Sequence, residues 1–214
     1  MYQNLFLDIK KMKMHVWDDQ KGHLEVPFRK YAYVKDGNGQ HVSLYGDRLK
    51  KVTNYDKDDP TLHESDVPPT TRFLVDNYGD SDEMSVGHRI MFFDIEVEVT
   101  DGFPDVQKAQ NVITSIALYD CITEKYFTYC FDPSKRIESY AKDDEVVEFY
   151  DTEYEMLNKF FQKYLEIRPT IVSGWNSEFF DIPYLYNRAV RVLGPEVANL
   201  LSPISQVLYS EYKK

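Results

Sequence analysis

The nine residues Met91-Phe92-Phe93-Asp94-Ile95-Glu96-Val97-Glu98-Val99 constrain this 214-residue chain more than any other stretch. Apolar, aromatic and β-branched residues dominate it, so it reads as a β-strand. Carboxylates nonetheless recur at alternate positions. Side chains two apart in a strand share a face and lie about 7 Å from each other. Asp94 and Glu96 therefore point the same way out of an otherwise apolar segment. Burying bare carboxylates is costly, so such groups are paired, solvated or given a cation. An acid pair aimed at one spot suits Mg²⁺ or Mn²⁺, which take oxygen ligands. The plainer alternative is an edge strand with a solvated acidic face, and this segment alone leaves both open.

The length fits one large or two small domains, with enough chain to bury a core. Hydrophobic residues make up 43% and aromatic residues 15%, which argues for a globular protein. The 17 tyrosines and 13 phenylalanines read first as core and hairpin residues, although bases also stack well on such rings. A net charge of −11 argues against a sequence-blind nucleic-acid binder. The charge is uneven. Residues 1–90 carry 13 Lys and Arg against 15 Asp and Glu, whereas residues 91–214 carry 12 against 21. Divalent cations can offset the excess locally, which leaves a DNA substrate open.

Cys121 and Cys130 have no metal-ligand spacing and form no disulfide framework. They are expected on neighbouring strands as reduced thiols, in a cytosolic protein. No apolar run reaches the length of a membrane span, and the N-terminus lacks the apolar core of a signal peptide.

The first part reads as β-rich, with short strands over Asn4–Lys10 and Lys13–Asp18. A turn then leads into a run over His23–Val34. Asp36-Gly37-Asn38-Gly39 is a hairpin signal, because Asp-Gly and Asn-Gly tolerate positive φ. His41–Tyr45 returns as a strand, Tyr55–Pro60 is an acidic loop, and a short helix spans Arg72–Tyr78. Gly79–Glu83 reads as a linker, which puts a boundary near residue 85. Strands follow over Arg89–Val99, Val112–Asp120 and Tyr126–Phe131. Thr152–Ile167 has helical spacing, with Tyr154, Leu157, Phe160, Phe161 and Leu165 forming an apolar stripe. Thr170–Ser173 is a short buried strand. Asp181–Leu193 is a second helix, closed by Gly194-Pro195.

Residues 173–184, Ser-Gly-Trp-Asn-Ser-Glu-Phe-Phe-Asp-Ile-Pro-Tyr, form the other dense segment. Asp181 before Ile182-Pro183 suits a helix N-cap. A helix start at a strand end can also hold an acid beside the first strand's carboxylates. Phe93-Asp94-Ile95-Glu96 resembles the first exonuclease motif of family B DNA polymerases. Gly174-Trp175-Asn176 with Phe180-Asp181-Ile182-Pro183 resembles their second. Asp101-Gly102-Phe103-Pro104 and Ile113-Thr114-Ser115-Ile116 resemble the polymerases of large tailed phages. Val67-Pro68-Pro69 and Arg72-Phe73-Leu74-Val75 resemble the stretch that precedes the nuclease there.

The resemblance implies an α/β chain, α+β overall: a small β-rich N-terminal domain over 1–85, then a partial ribonuclease H-like 3′–5′ exonuclease domain over 86–214. Its mixed sheet would be flanked by helices. It further implies that Asp94, Glu96 and Asp181 are catalytic metal ligands for two divalent ions, Mg²⁺ or Mn²⁺. Asn176 and Phe180 would lie near the terminal nucleotide and contact DNA. Glu98 shares the Asp94 face, has no metal role in the family pattern and reads as surface. The implied partners are a single-stranded or frayed DNA 3′ end and the rest of the polymerase, in cis or as a second chain. A sliding clamp and other replication proteins would act through that remainder, in the cytoplasm of an infected bacterial host and away from any membrane.

The family's third motif, Tyr-x-x-x-Asp, is expected after the second and before it the chain reaches Lys214. Tyr55/Asp59, Tyr78/Asp82 and Tyr140/Asp144 satisfy the pattern but precede the second motif, so they are rejected. The sequence therefore reads as a piece of a larger replicative polymerase, whether a shortened chain, a split gene product or a truncated frame, with weak or absent activity by itself. Two alternatives remain: a stand-alone exonuclease of the same superfamily, and a non-catalytic nucleic-acid-binding or assembly module.

Overall fold

A computed structural model describes residues 1–100, 102–134 and 136–208. Asp101 of the phage-like Asp101–Pro104 segment lies outside the described residues. The chain divides into two compact units, Met1–Gly87 and His88–Lys214.

In the first unit, β1 (Tyr2–Asp8), β2 (Lys13–Asp18) and β3 (Gly22–Pro27) pair antiparallel in that order. The Asp18 carboxylate accepts the N–H groups of Gln20 and Lys21, and Gly22 supplies φ +72° to finish that turn. The expected continuous run over 23–34 is two strands. Pro27 has no N–H to extend the ladder, and the Phe28 N–H donates to the Met12 carbonyl instead. The chain resumes as β4 (Ala32–Lys35), which pairs with β6 (Arg48–Val52), itself paired to β5 (His41–Val42). β6 escaped sequence reasoning because Arg-Leu-Lys-Lys-Val buries only Leu49. β5 stops short of Tyr45 because a turn starts at Ser43, whose carbonyl accepts the Gly46 N–H. α1 (Pro69–Tyr78) starts earlier than expected, with Pro69 at its first position. Met14, Val16, Phe28 and Phe73 form the buried centre of this unit.

The second unit is built on a six-stranded sheet. Its strands are β7 (Ile90–Val97), β8 (Ile113–Asp120), β9 (Lys125–Phe131), β10 (Tyr140–Lys142), β11 (Glu145–Tyr150) and β12 (Ile171–Ser173). The order is β10-β11-β9-β8-β7-β12, and the β11/β9 and β12/β7 pairs are parallel, so the sheet is mixed. The hairpin β10–β11 is absent from the sequence expectation. Its turn, where Asp143 takes φ +53°, is too charged to resemble a hairpin. Cys130 lies on β9, but Cys121 sits in the turn after β8 rather than on a neighbouring strand; both are free thiols.

The helices are α2 (Glu153–Ile167), α3 (Asp181–Val192) and the short α4 (Pro195–Ala198). Thr152 caps α2, its hydroxyl accepting the Glu155 N–H at 3.2 Å. The buried stripe of α2 is Met156, Leu157, Phe160, Phe161 and Ile167, whereas Tyr154 and Leu165 face solvent. Leu157, Phe160 and Phe161 are thus shared with the expected stripe, and Met156 and Ile167 are buried in place of the expected Tyr154 and Leu165. α2 and α3 bury it against Met91, Phe93, Ile95, Ile116 and Leu118. Among the described residues, no helix is long and apolar enough to cross a membrane.

Candidate active site

The strand period carries two acids to the surface of β7. Met91, Phe93 and Ile95 are 1%, 5% and 6% exposed beneath the helices, so Phe92, Asp94 and Glu96 emerge on the opposite face. β12 covers one edge of β7 only from Ile90 to Phe92. Past that point the Ile95 N–H turns to a side chain, donating to Asp181 Oδ1 at 3.1 Å.

Asp181 is the first residue of α3, and Phe180 occupies the N-cap position without a side-chain cap bond. The expected N-cap role of Asp181 is thus corrected: its carboxylate serves the strand, because a buried N–H on β7 has no strand carbonyl to meet. Asp181 is 4% exposed. Burial pushes its carboxyl above the usual carboxylate value, the Ile95 N–H pulls it down in part, and the charges of Asp94 and Glu96 push it up again.

The segment between β12 and α3 is held at two points. A Cβ on Gly174 would meet the Phe93 carbonyl oxygen at 2.4 Å, so only glycine lets this chain pass over β7. Asn176 takes φ +55°, which asparagine tolerates, and its carbonyl accepts the Phe179 and Phe180 N–H groups. Gly174→Ala is expected to cost about 2 kcal/mol, because the obstacle is backbone. Urea unfolding checks this; an unchanged midpoint would show that β7 and the loop can separate without penalty.

An open cleft of about 490 Å³ collects these parts, lined by Asp94, Ile95, Glu96, Phe103, Trp175, Asn176, Phe180 and Asp181. All five residues singled out in the sequence border it. Phe103 and Trp175 were quoted there without a role. Phe103 packs its ring on Phe180 at 5.0 Å between centroids, and Phe180 in turn meets Tyr184 at 5.5 Å. Glu98 is exposed and does not line the cleft. Of the rejected Tyr-x-x-x-Asp matches, Tyr140 lies on β10 at the far end of the sheet, and the other two belong to the first unit.

The donor set is of the right chemistry for hard divalent cations, being all carboxylate. Among the described residues, no three His, Cys, Asp or Glu side chains converge closely enough to hold an ion. The three acids share a cleft and sense one another's charge, but they do not close a cage.

An α/β unit with a mixed sheet and an acid-lined cleft at a strand–helix junction defines a class of fold. Residues 79–202 match the model of the family described as DNA polymerase family B, exonuclease domain. The chain is 33% identical over 138 residues to the DNA-directed DNA polymerase of Escherichia phage RB69, covering 54% of this chain and 15% of that protein. It is 30% identical over 134 residues to the corresponding enzyme of Enterobacteria phage T4, covering 52% and 15%. DNA polymerase 1 of Saccharolobus solfataricus is 32% identical over 145 residues, covering 62% and 16%. The match thus spans about 15% of the length of these curated relatives. This chain belongs to the exonuclease domain family of the family B DNA polymerases, and its fold is of the ribonuclease H-like type.

Proposed function

We propose that this chain carries the 3′–5′ exonuclease portion of a replicative family B DNA polymerase, hydrolysing the 3′-terminal phosphodiester of unpaired DNA. Residues 1–85 would be the β-rich N-terminal domain of that polymerase and 86–214 part of its nuclease. One observation carries the reading: Asp94, Glu96 and Asp181 border a single cleft in a unit whose sequence matches that family.

In this reading Asp94, Glu96 and Asp181 hold two divalent cations, Mg²⁺ or Mn²⁺. When bound, such ions would supply an activated water and charge stabilisation for the leaving 3′-oxygen. Asp181 contributes a fixed carboxylate, since one of its oxygens is tied to β7. Asp94 and Glu96 are exposed on β7 and border the same cleft. The Phe103–Phe180 wall receives the terminal base, with Asn176 beside it. Activity of the chain alone is expected to be weak or absent, since three carboxylates leave two such cations short of protein ligands.

The test is degradation of a 3′-labelled single-stranded DNA with Mn²⁺, beside an Asp94→Ala control. Slow trimming that the substitution removes supports the reading. Trimming that survives Asp94→Ala sinks it. DNA binding at equal strength in both proteins without cleavage favours a non-catalytic binding or assembly module.

A further inference from the structure

The turn between β5 and β6 is apolar where a turn is ordinarily polar. Leu44 is fully exposed, and Val42 and Tyr45 beside it are 65% and 92% exposed. The backbone holds them there. The Ser43 carbonyl accepts the Gly46 N–H at 3.0 Å, and the Ser43 hydroxyl accepts the N–H groups of Tyr45 and Asp47 at 3.2 and 3.1 Å. Gly46 supplies φ +85°, and Asp47 is tied to Lys35 at 2.7 Å. A turn fixed in this way presents Leu44 and Tyr45 without having to order on contact, which lowers the cost of association.

A cleft of about 420 Å³ opens beside the turn, bordered by Tyr33, His41, Leu49 and His63 together with the turn's own apolar residues. It offers a large apolar side chain a place to be buried.

Charge narrows the choice of chain that brings such a side chain. Residues 29–51 carry 6 Lys and Arg against 2 Asp and Glu, whereas the rest of the protein carries 19 against 34. Val42 stands opposite Arg48 and Val34 opposite Lys50, so apolar and basic groups share one face of this sheet. A basic island in an acidic protein attracts an acidic partner and orients it. A nucleic-acid strand is the poorer fit, because it is held by cations that follow its phosphates and by rings on which its bases stack. Lys35 is paired with Asp47 and Lys51 lies 3.5 Å over the Tyr31 ring, which leaves Arg48 and Lys50 of the cations on β4 and β6. Val42 and Leu44 are aliphatic, and burying them requires an apolar surface.

We propose that the Val42–Tyr45 turn, its cleft and the adjoining cations form a docking surface for an acidic segment of a partner protein, one with an apolar or aromatic anchor among its carboxylates. The anchor enters the cleft beside Leu44 and Tyr45, and the carboxylates meet Arg48 and Lys50. The surface belongs to the first unit and does not depend on the exonuclease reading.

Short random peptides displayed on filamentous phage are selected against the immobilised full chain. The most enriched peptide is then synthesised with a dye and titrated by anisotropy. It is expected to carry several Asp and Glu around a Phe, Trp or Leu, and to bind more weakly as salt rises. Leu44→Ser combined with Tyr45→Ser should weaken binding about tenfold or more. Lys50→Glu should slow association about three- to tenfold. All three side chains are exposed, so urea midpoints equal to wild type are expected for both variants.

A selection that yields no peptide, or peptides without acids, would overturn the proposal. So would a peptide that all three proteins bind equally. Tighter binding of an oligothymidylate, lost with Leu44→Ser and Tyr45→Ser, would make the surface a nucleic-acid site instead. Concentration-dependent sedimentation that the same variant abolishes would make it a contact between copies of this chain. Either result overturns the acidic partner.

Discussion

Asp181→Asn is expected to lower Mn²⁺-dependent DNA trimming by on the order of a hundredfold or more while raising thermal stability. The activity loss follows from removing one of three anionic ligands, since metal-assisted charge stabilisation is worth several kcal/mol. The stability gain has a separate origin. Asp181 is 4% exposed, and burial together with Asp94 and Glu96 holds its carboxyl above the ordinary value. A carboxyl whose native value is raised binds its proton more tightly when folded. Its ionisation therefore weakens the fold at neutral pH, and that penalty vanishes as pH falls through the raised value. Asparagine keeps an oxygen for the Ile95 N–H and brings no charge. Because solvent at the cleft mouth screens the repulsion, a rise of about 2 °C at pH 7 without metal is expected. The gap from wild type should close as the pH is lowered toward the unfolded carboxyl value of about 3.9. A gap that widens on acidification, or an asparagine protein that melts below wild type at pH 7, would falsify this account.

The acids of β7 were legible because a period of two needs only a few residues to declare itself, and Asp94 and Glu96 interrupt an apolar run. The second helix and its start at Asp181 were legible for a similar reason. What Asp181 does was not, because its partner is a backbone N–H 86 residues away. Locally, an acid before Ile-Pro resembles a cap; only the early end of β12 exposes the competing donor at Ile95. The hairpin of β10 and β11 was hidden differently. Its strands pair across a turn as charged as a solvated loop, and their place is set by β9, to which β11 binds in parallel. Exposure of Trp175 and the ring contact of Phe103 with Phe180 depend on where a loop is pinned, which composition and spacing do not encode.

The largest expected loss of stability comes from Arg188→Met, at about 3–5 kcal/mol. Arg188 donates Nε to Glu153 Oε1 at 2.8 Å and Nη2 to the other carboxylate oxygen, a two-pronged pairing. Its Nη1 reaches the carbonyls of Ala109 and Gln110. Glu153 also accepts the Ile113 N–H at 2.8 Å. One ion pair, with side chains only 11% and 9% exposed, thus joins the first turn of α2, the middle of α3 and the entry to β8. Methionine keeps the aliphatic stem but leaves Glu153 charged and half-partnered, along with two orphaned carbonyls. Against a typical total of about 5–15 kcal/mol, that loss is large. Removing both charges with Glu153→Leu and Arg188→Met should recover part of it, since the buried anion is gone while the Ile113 N–H still lacks a partner. Urea unfolding of wild type, both single variants and the double variant gives the coupling. Strict additivity would mean that the two groups do not sense each other. Nuclease activity of Arg188→Met, read well below its melting temperature, then separates two roles. If the network only stabilises the unit, activity at that temperature is retained. If it also sets the position of α3, activity falls with the protein still folded, because Asp181 leads that helix into the cleft.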